Sequence, residues 1–320
     1  MFQQTFKNFN INLNALNERN TLSSGDLVTG QIFFDLTKPT NINSITLALK
    51  GEAHVHWSTG GGGSRKRRRR RRHYSAKLEF FNFKSDIVQR NGAIGGPSKL
   101  QPGTHVYPFT CQLPQGNFPS SFQGVHGHIA YTLTVGISRP WHLSKDFVTQ
   151  LNFVNRIDAN QPELLAPLAG SNSMTLCCLW CASGPVSMTV RLGKKVFAPG
   201  ETAKITCKFS NASSRTATPK ARLVQNQTFY THNKGQSRKS IKHLASETGQ
   251  PVSPHSSDVY TEMTLTVPAA VPLTISNCSI IEVDYIIEVR LCVRASSDLI
   301  VLFPIILCDI PAYTDPPSYS

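Results

Sequence analysis

The chain has 320 residues, of which 40% are hydrophobic and 16% charged. That is room for about two domains of ~150 residues and too apolar for a chain disordered throughout. The formal net charge of +14 includes eight basic residues in one run; setting them aside leaves 33 − 8 = 25 basic against 19 acidic residues, or +6, which excludes a basic face spread over the whole molecule.

The N-terminus, Met1-Phe2-Gln3-Gln4-Thr5-Phe6-Lys7, has no apolar h-region, so no signal peptide is expected and the eight cysteines read as free thiols. Period-two alternation starts with Phe9, Ile11 and Leu13, separated by Asn8, Asn10, Asn12 and Asn14, and returns at Ile45, Leu47 and Leu49. It returns again at Ile129, Tyr131, Leu133 and Val135, and at Val283, Tyr285, Ile287 and Val289. Such alternation puts one face of a strand on a core and the other in water, as antiparallel sheets allow. Helical periodicity is nearly absent and turn residues break the segments at short intervals, so the expected class is all-β, built of sandwiches.

Between the strand-like stretches 52–57 and 74–83 stands a glycine run followed by Arg65, Lys66, Arg67, Arg68, Arg69, Arg70, Arg71 and Arg72. The spacing makes 60–73 the tip of a hairpin. One reading is a solvated, self-repelling loop; the sharper ones are contact with anionic lipid head groups or with phosphorylated protein tails through guanidinium forks. No aromatics interleave the run, which argues against nucleic acid as a partner. His54 and His56 share one strand face, as do His126 and His128, but no carboxylates join them and no metal is expected.

The second half echoes the first. Gly25-Asp26 and Gly200-Glu201 each open an alternating strand. Pro114 and Pro268 are 268 − 114 = 154 residues apart, as are Tyr131 and Tyr285, 285 − 131 = 154. The expected organisation is a first domain over 1–155, a linker over 156–173, a second domain over 174–309 and a tail over 310–320. Cys177, Cys178 and Cys181 have no partner pair at finger spacing and read as small hydrophobes; no cofactor is expected. Three glycosylation triplets, at Asn211, Asn226 and Asn277, need secretion to matter. The longest apolar stretch, 299–308, is interrupted by Pro304 and falls short of the ~20 residues of a membrane helix. Enzyme signatures are missing, and catalysis is not expected.

The tail holds Pro316-Pro317-Ser318-Tyr319. Two prolines hold a polyproline II backbone with little entropy left to lose on binding, and Tyr319 supplies a ring for a neighbouring pocket, so Pro316, Pro317 and Tyr319 fit the pattern bound by WW domains.

Several segments carry a family resemblance. Gly103-Thr104-His105-Val106-Tyr107-Pro108-Phe109, Gln112-Leu113-Pro114, Pro119-Ser120-Ser121-Phe122, Gly127-His128-Ile129 with Tyr131, and Arg139-Pro140-Trp141 resemble the N-terminal domain of the α-arrestins. Cys177-Cys178-Leu179-Trp180-Cys181-Ala182-Ser183-Gly184-Pro185, with Ala198-Pro199-Gly200-Glu201, is similar to the opening of their C-terminal domain. The resemblance implies two arrestin-type, immunoglobulin-like β-sandwiches in tandem. It further implies an adaptor that brings HECT-class ubiquitin ligases with WW domains to membrane receptors or transporters, promoting ubiquitination, endocytosis and endosomal transport. A cytoplasmic protein recruited to plasma membrane and endosomes is expected. Members of that family usually carry two such tail motifs, and here there is one. A relative binds thioredoxin through a C-domain cysteine; around 253–257 this chain has none, so that activity is not carried over. The alternatives are a retromer-like sorting subunit that ignores the tail, and a lipid or nucleic-acid binder driven by the basic loop.

Overall fold

The computed structural model describes residues 5–14, 17, 19–60, 71–88, 98–178 and 181–309, with backbone only at 88, 176–178 and 181–183. Pro316, Pro317 and Tyr319, and Arg65 to Arg70 of the basic run, lie outside the described residues. The chain divides into two compact units, 1–155 with 230–236 and 277–280, and 156–229 with 237–276 and 281–320.

The first unit contains β1 (Phe6–Leu13), β2 (Leu27–Leu36), β3 (Thr40–Ile42), β4 (Ser44–Thr59), β5 (Arg72–Val88), β6 (Ser98–Leu100), β7 (Gly103–Gln112), β8 (Phe122–Gln123), β9 (Gly127–Ser138) and β10 (Lys145–Leu151). One sheet runs β1-β2-β7 and another β10-β9-β4-β5, with β8 also on β9 and a small β3-β6 pair beside them. Alternation decides the inner faces. Ile45, Leu47, Leu49, Ala53, Val55 and Trp57 of β4 are buried, as are Ile129, Tyr131, Leu133 and Val135 of β9 and Ile32 and Phe34 of β2. Phe9 of β1 stacks on Phe147 of β10 with ring centroids 3.5 Å apart, joining the two sheets at one edge. Gly51 marks a register shift between β4 and β5; a Cβ there would come within 2.7 Å of the Tyr131 ring and 2.9 Å of the Phe81 ring, so only glycine lets both rings close on the strand.

The second unit contains α1 (Pro162–Leu165), β11 (Leu168–Cys178), β12 (Cys181–Leu192), β13 (Val196–Phe197), β14 (Thr202–Asn211), β15 (Ala217–Tyr230), β16 (Ser237–Thr248), β17 (Ser256–Thr266), β18 (Ile281–Val293) and β19 (Leu299–Leu307). Its sheets are β11-β12-β14-β17 and β13-β19-β18-β15-β16. Val283, Tyr285, Ile287 and Val289 are all buried, as are Met188, Val190, Ile205, Cys207 and Phe209 on the inner strands of the other sheet. Two layers of alternating strands around one core is a β-sandwich, and the fold is all-β with two such domains in tandem.

The stretch read as linker, 156–173, is more ordered than its composition indicates. Pro162–Leu165 forms α1, whose Leu164 packs with Ala159, Val196 and Cys308. Residues 168–173 open β11 in register with β12. Ala169-Gly170-Ser171-Asn172-Ser173 looks like a loop by residue type, but a strand against β19 needs small side chains: a Cβ at Gly170 would sit 2.6 Å from Val301, and Asn172 donates to the Ile300 carbonyl at 3.0 Å.

The internal echo is physical. Asp26 accepts a hydrogen bond from the Ser23 amide at 2.8 Å, and Glu201 one from the Ala198 amide at 2.9 Å, each across a turn with a positive-φ glycine, Gly25 (79°) or Gly200 (88°). The Asp26 carbonyl then receives the Leu113 amide and the Glu201 carbonyl the Val267 amide, the residues just before the paired prolines Pro114 and Pro268. Tyr131 donates its phenol to the Pro119 carbonyl at 2.6 Å and Tyr285 to the Pro272 carbonyl at 2.5 Å. Both sandwiches therefore lock a buried tyrosine onto a proline-rich segment of their own chain.

Candidate functional site

The described part of the basic run stands on the β4–β5 hairpin. Pairing continues outward through Trp57↔Tyr74, Ser58↔His73 and Thr59↔Arg72. Trp57 points inward, 4% exposed, and its ring stacks on Tyr74 at 5.5 Å between centroids. Arg71 donates from Nε to Ser58 Oγ at 2.9 Å, tying the base of the basic segment to β4. β4 and β5 pair antiparallel up to Thr59↔Arg72; residues 61–70 of the expected tip lie outside the described residues, and of the basic run only Arg71 and Arg72 are described.

Because Ala53, Val55 and Trp57 face the core, the intervening His54, His56 and Ser58 face outward. His54 meets His128 of β9 at 5.7 Å between ring centroids, and His56 meets His73 of β5 at 5.9 Å. The sequence pairs His54 with His56 and His126 with His128 along single strands; the sheet instead sets His54 beside His128 and His56 beside His73, while His126 precedes β9 and accepts the His56 amide at its carbonyl, 2.8 Å. Deeper on this face Glu52 accepts Lys50 at 2.7 Å and Lys77 at 2.8 Å. Burial raises the Glu52 pKa, but the two lysine hydrogen bonds outweigh it and hold the carboxyl below the usual carboxylate range. The outer half of the hairpin thus presents arginine and histidine, while the Glu52 carboxylate beneath it is already engaged by two lysines.

The chain approaches the tail through β19, which pairs in parallel with β13 at Val196↔Ile306 and Phe197↔Leu307. Cys308 donates its amide to the Phe197 carbonyl at 3.0 Å. Between Asp309, the last described residue, and Pro316 lie 310–315.

Cys111, Cys207, Cys278, Cys292 and Cys308 are free thiols. Burial pushes Cys111 up to about 11 and Cys207 up to about 12, which keeps both protonated and poorly nucleophilic at neutral pH. The side chains of Cys177, Cys178 and Cys181 lie outside the described residues; their backbones close the β11–β12 hairpin at Cys178↔Cys181. Among the described residues no three His, Cys, Asp or Glu side chains gather as for a metal ion, and no helix is long and apolar enough to cross a membrane. The triplet at Asn211 is closed to modification in the fold: its side chain is wholly buried and donates to the Arg215 and Ser253 carbonyls at 2.7 and 3.1 Å.

Comparison with known proteins bears on this arrangement. Residues 9–160 match the family described as arrestin (or S-antigen), N-terminal domain, and residues 182–312 match arrestin (or S-antigen), C-terminal domain. The chain is 29% identical over 290 residues to arrestin domain-containing protein 4 of Mus musculus, covering 90% of this chain and 69% of that one. The Homo sapiens counterpart is 29% identical with 90% and 68% covered. Thioredoxin-interacting protein of Mus musculus is 24% identical over 288 residues, with 89% and 69% covered.

Proposed function

From the premise that this chain belongs to the arrestin family, in its α-arrestin branch, with both domains present, we propose that it is a non-catalytic adaptor linking WW-domain ubiquitin ligases of the HECT class to membrane receptors or transporters. An adaptor role in general follows from the family. The ligase link is the further step, and one observation supports it: a chain with both arrestin domains goes on to Pro316-Pro317-Ser318-Tyr319. In this reading the sandwiches engage cargo and the three residues Pro316, Pro317 and Tyr319 dock as a preformed polyproline turn in an aromatic groove. Ubiquitination of the cargo, its endocytosis and its endosomal transport are the consequences, with the protein cytoplasmic and recruited to plasma membrane and endosomes. The basic run, Arg65 to Arg72, contacts the anionic membrane surface or phosphorylated cargo tails, each basic residue near such a surface adding ~1 kcal/mol.

The test is calorimetric titration of a WW domain from a HECT ligase into the whole chain. Tyr319→Ala removes the ring that fills the second pocket and weakens binding by at least about tenfold; equal affinity for the two chains rules out the motif as the ligase site.

A further inference from the structure

Two fully exposed apolar side chains share one short turn. Trp141 is 101% and Leu143 94% exposed, both in the β9–β10 connection. The His142 amide bonds back to the Arg139 carbonyl, with Pro140 second and Trp141 third at φ 59°. Proline second and positive φ third is the pattern of a type II turn, whose third place ordinarily goes to glycine or asparagine. A tryptophan there accepts backbone strain and exposes a large ring to water, and neither serves packing within the domain.

Behind the turn lies a hollow of about 260 Å³, lined among others by Lys38, Thr40, Asn41, Arg139, Trp141 and His142, and by no carboxylate among the described residues. Arg139 lies over the Phe6 ring, 5.4 Å from its centroid, and burial lowers its guanidinium pKa, so an anion nearby favours the charged form. Two carboxylates flank this end of the domain: Asp35, held by Asn8 and Thr104, and Asp146, exposed on the strand after the turn.

We propose that this turn is a peripheral docking point for an anionic lipid bilayer, where Trp141 and Leu143 enter the head-group layer and Lys38 and Arg139 meet lipid phosphate. Aromatic and aliphatic side chains beside cations are what an interface between water and acyl chains selects. The charge of the hollow commits the occupant to anionic head groups. The site is separate from the basic run. Ser44 of β4 pairs with Ser138 beside the turn, whereas Thr59 pairs with Arg72, so the two lie at opposite ends of β4, roughly 50 Å apart along the strand.

The experiment uses the full chain with residues 65–72 changed to serine, which removes the other candidate lipid contact and keeps failure here distinct from failure of the adaptor reading. Sedimentation with phosphatidylcholine vesicles, with and without phosphatidylserine, is the readout. The serine-substituted chain binds the phosphatidylserine vesicles, and Trp141→Ala with Leu143→Ala weakens that binding by about tenfold. Brominated lipid quenches the tryptophan emission, and Trp141→Phe removes the quenched component. That second measurement reads the site in a chain of intact fold should the double substitution unfold. Absence of binding to phosphatidylserine vesicles overturns the proposal. So does binding indifferent to both substitutions, quenching that survives Trp141→Phe, or full competition by inorganic phosphate, which would make the hollow a site for free anion.

Discussion

Tyr131 and Tyr285 are among the largest fully buried side chains, and each gives its phenolic proton to a proline carbonyl. Burial pushes both phenols well above their ordinary range. Removing the Tyr131 hydroxyl strands the buried Pro119 carbonyl, a loss of about 1–3 kcal/mol, while removing that of Tyr285 leaves the half-buried Pro272 carbonyl without its phenol. Tyr285 also accepts Gln225 Nε2 at 2.6 Å, and Gln225 in turn accepts Gln227 Nε2 at 2.8 Å. Tyr285→Phe therefore disturbs a chain of three buried groups and costs more than Tyr131→Phe, as denaturant titration of the two variants would show; equal losses contradict that ordering. The thiols of half-buried Cys111 and buried Cys207 give a pH prediction. An unfolded cysteine loses its proton near pH 9, whereas Cys111 and Cys207 hold theirs to about 11 and about 12. Above pH 9 the folded state binds more protons than the unfolded one, so stability falls as pH rises from about 9 toward about 12. Cys111→Ala and Cys207→Ala chains, melted over that range, lose part of the slope; an unchanged slope contradicts the assignment. Both tyrosines are legible from alternation and the 154-residue spacing. Their carbonyl partners are not, because the segments bearing Pro119 and Pro272 return to the tyrosines through loops without a periodic pattern.

At the scale of elements, the two acidic turns separate backbone from packing. Gly200 sits at φ 88° with nothing within 4 Å of where a methyl group would stand, while at Gly25, φ 79°, the same methyl would lie 2.1 Å from Gln115 Nε2. Gly200→Ala bears only the left-handed strain, about 1–2 kcal/mol, and lowers the melting temperature of a domain this size by a few degrees. Gly25→Ala bears that strain and must also displace Gln115, so its melting temperature falls further; the reverse order in a thermal melt contradicts the turn geometry. Strands with one buried face, such as β4, β9 and β18, are readable from the sequence because burial imposes period two on them. β11 is not, because its small residues answer to the closeness of β19 and not to a core of its own. Register slips escape the sequence for a related reason: β1 shifts between Lys7 and Asn10 with Asn8 at φ 52°, inside a stretch whose asparagines look uniform.

At the scale of the whole molecule, the sequence carries the tandem sandwiches in full outline and the tail motif Pro316-Pro317-Ser318-Tyr319 as four residues, but not the surfaces each sandwich presents. The outward histidines come from three strands, at His54 and His56, His73 and His128, and only the sheet brings them side by side. Trp141 reads in sequence as one more aromatic in a family segment; its complete exposure follows from a turn conformation that residue types do not announce. If the protein is the adaptor proposed, the arrestin body and the terminal motif do separable work. Capture from cytosol on the full chain and on one lacking residues 311–320, with HECT ligases quantified in both, tests that division most directly. The ligases are expected to be retained by the full chain and lost with the last ten residues, while the shortened chain keeps the melting temperature of the full one. Equal recovery of ligase on both chains would contradict it.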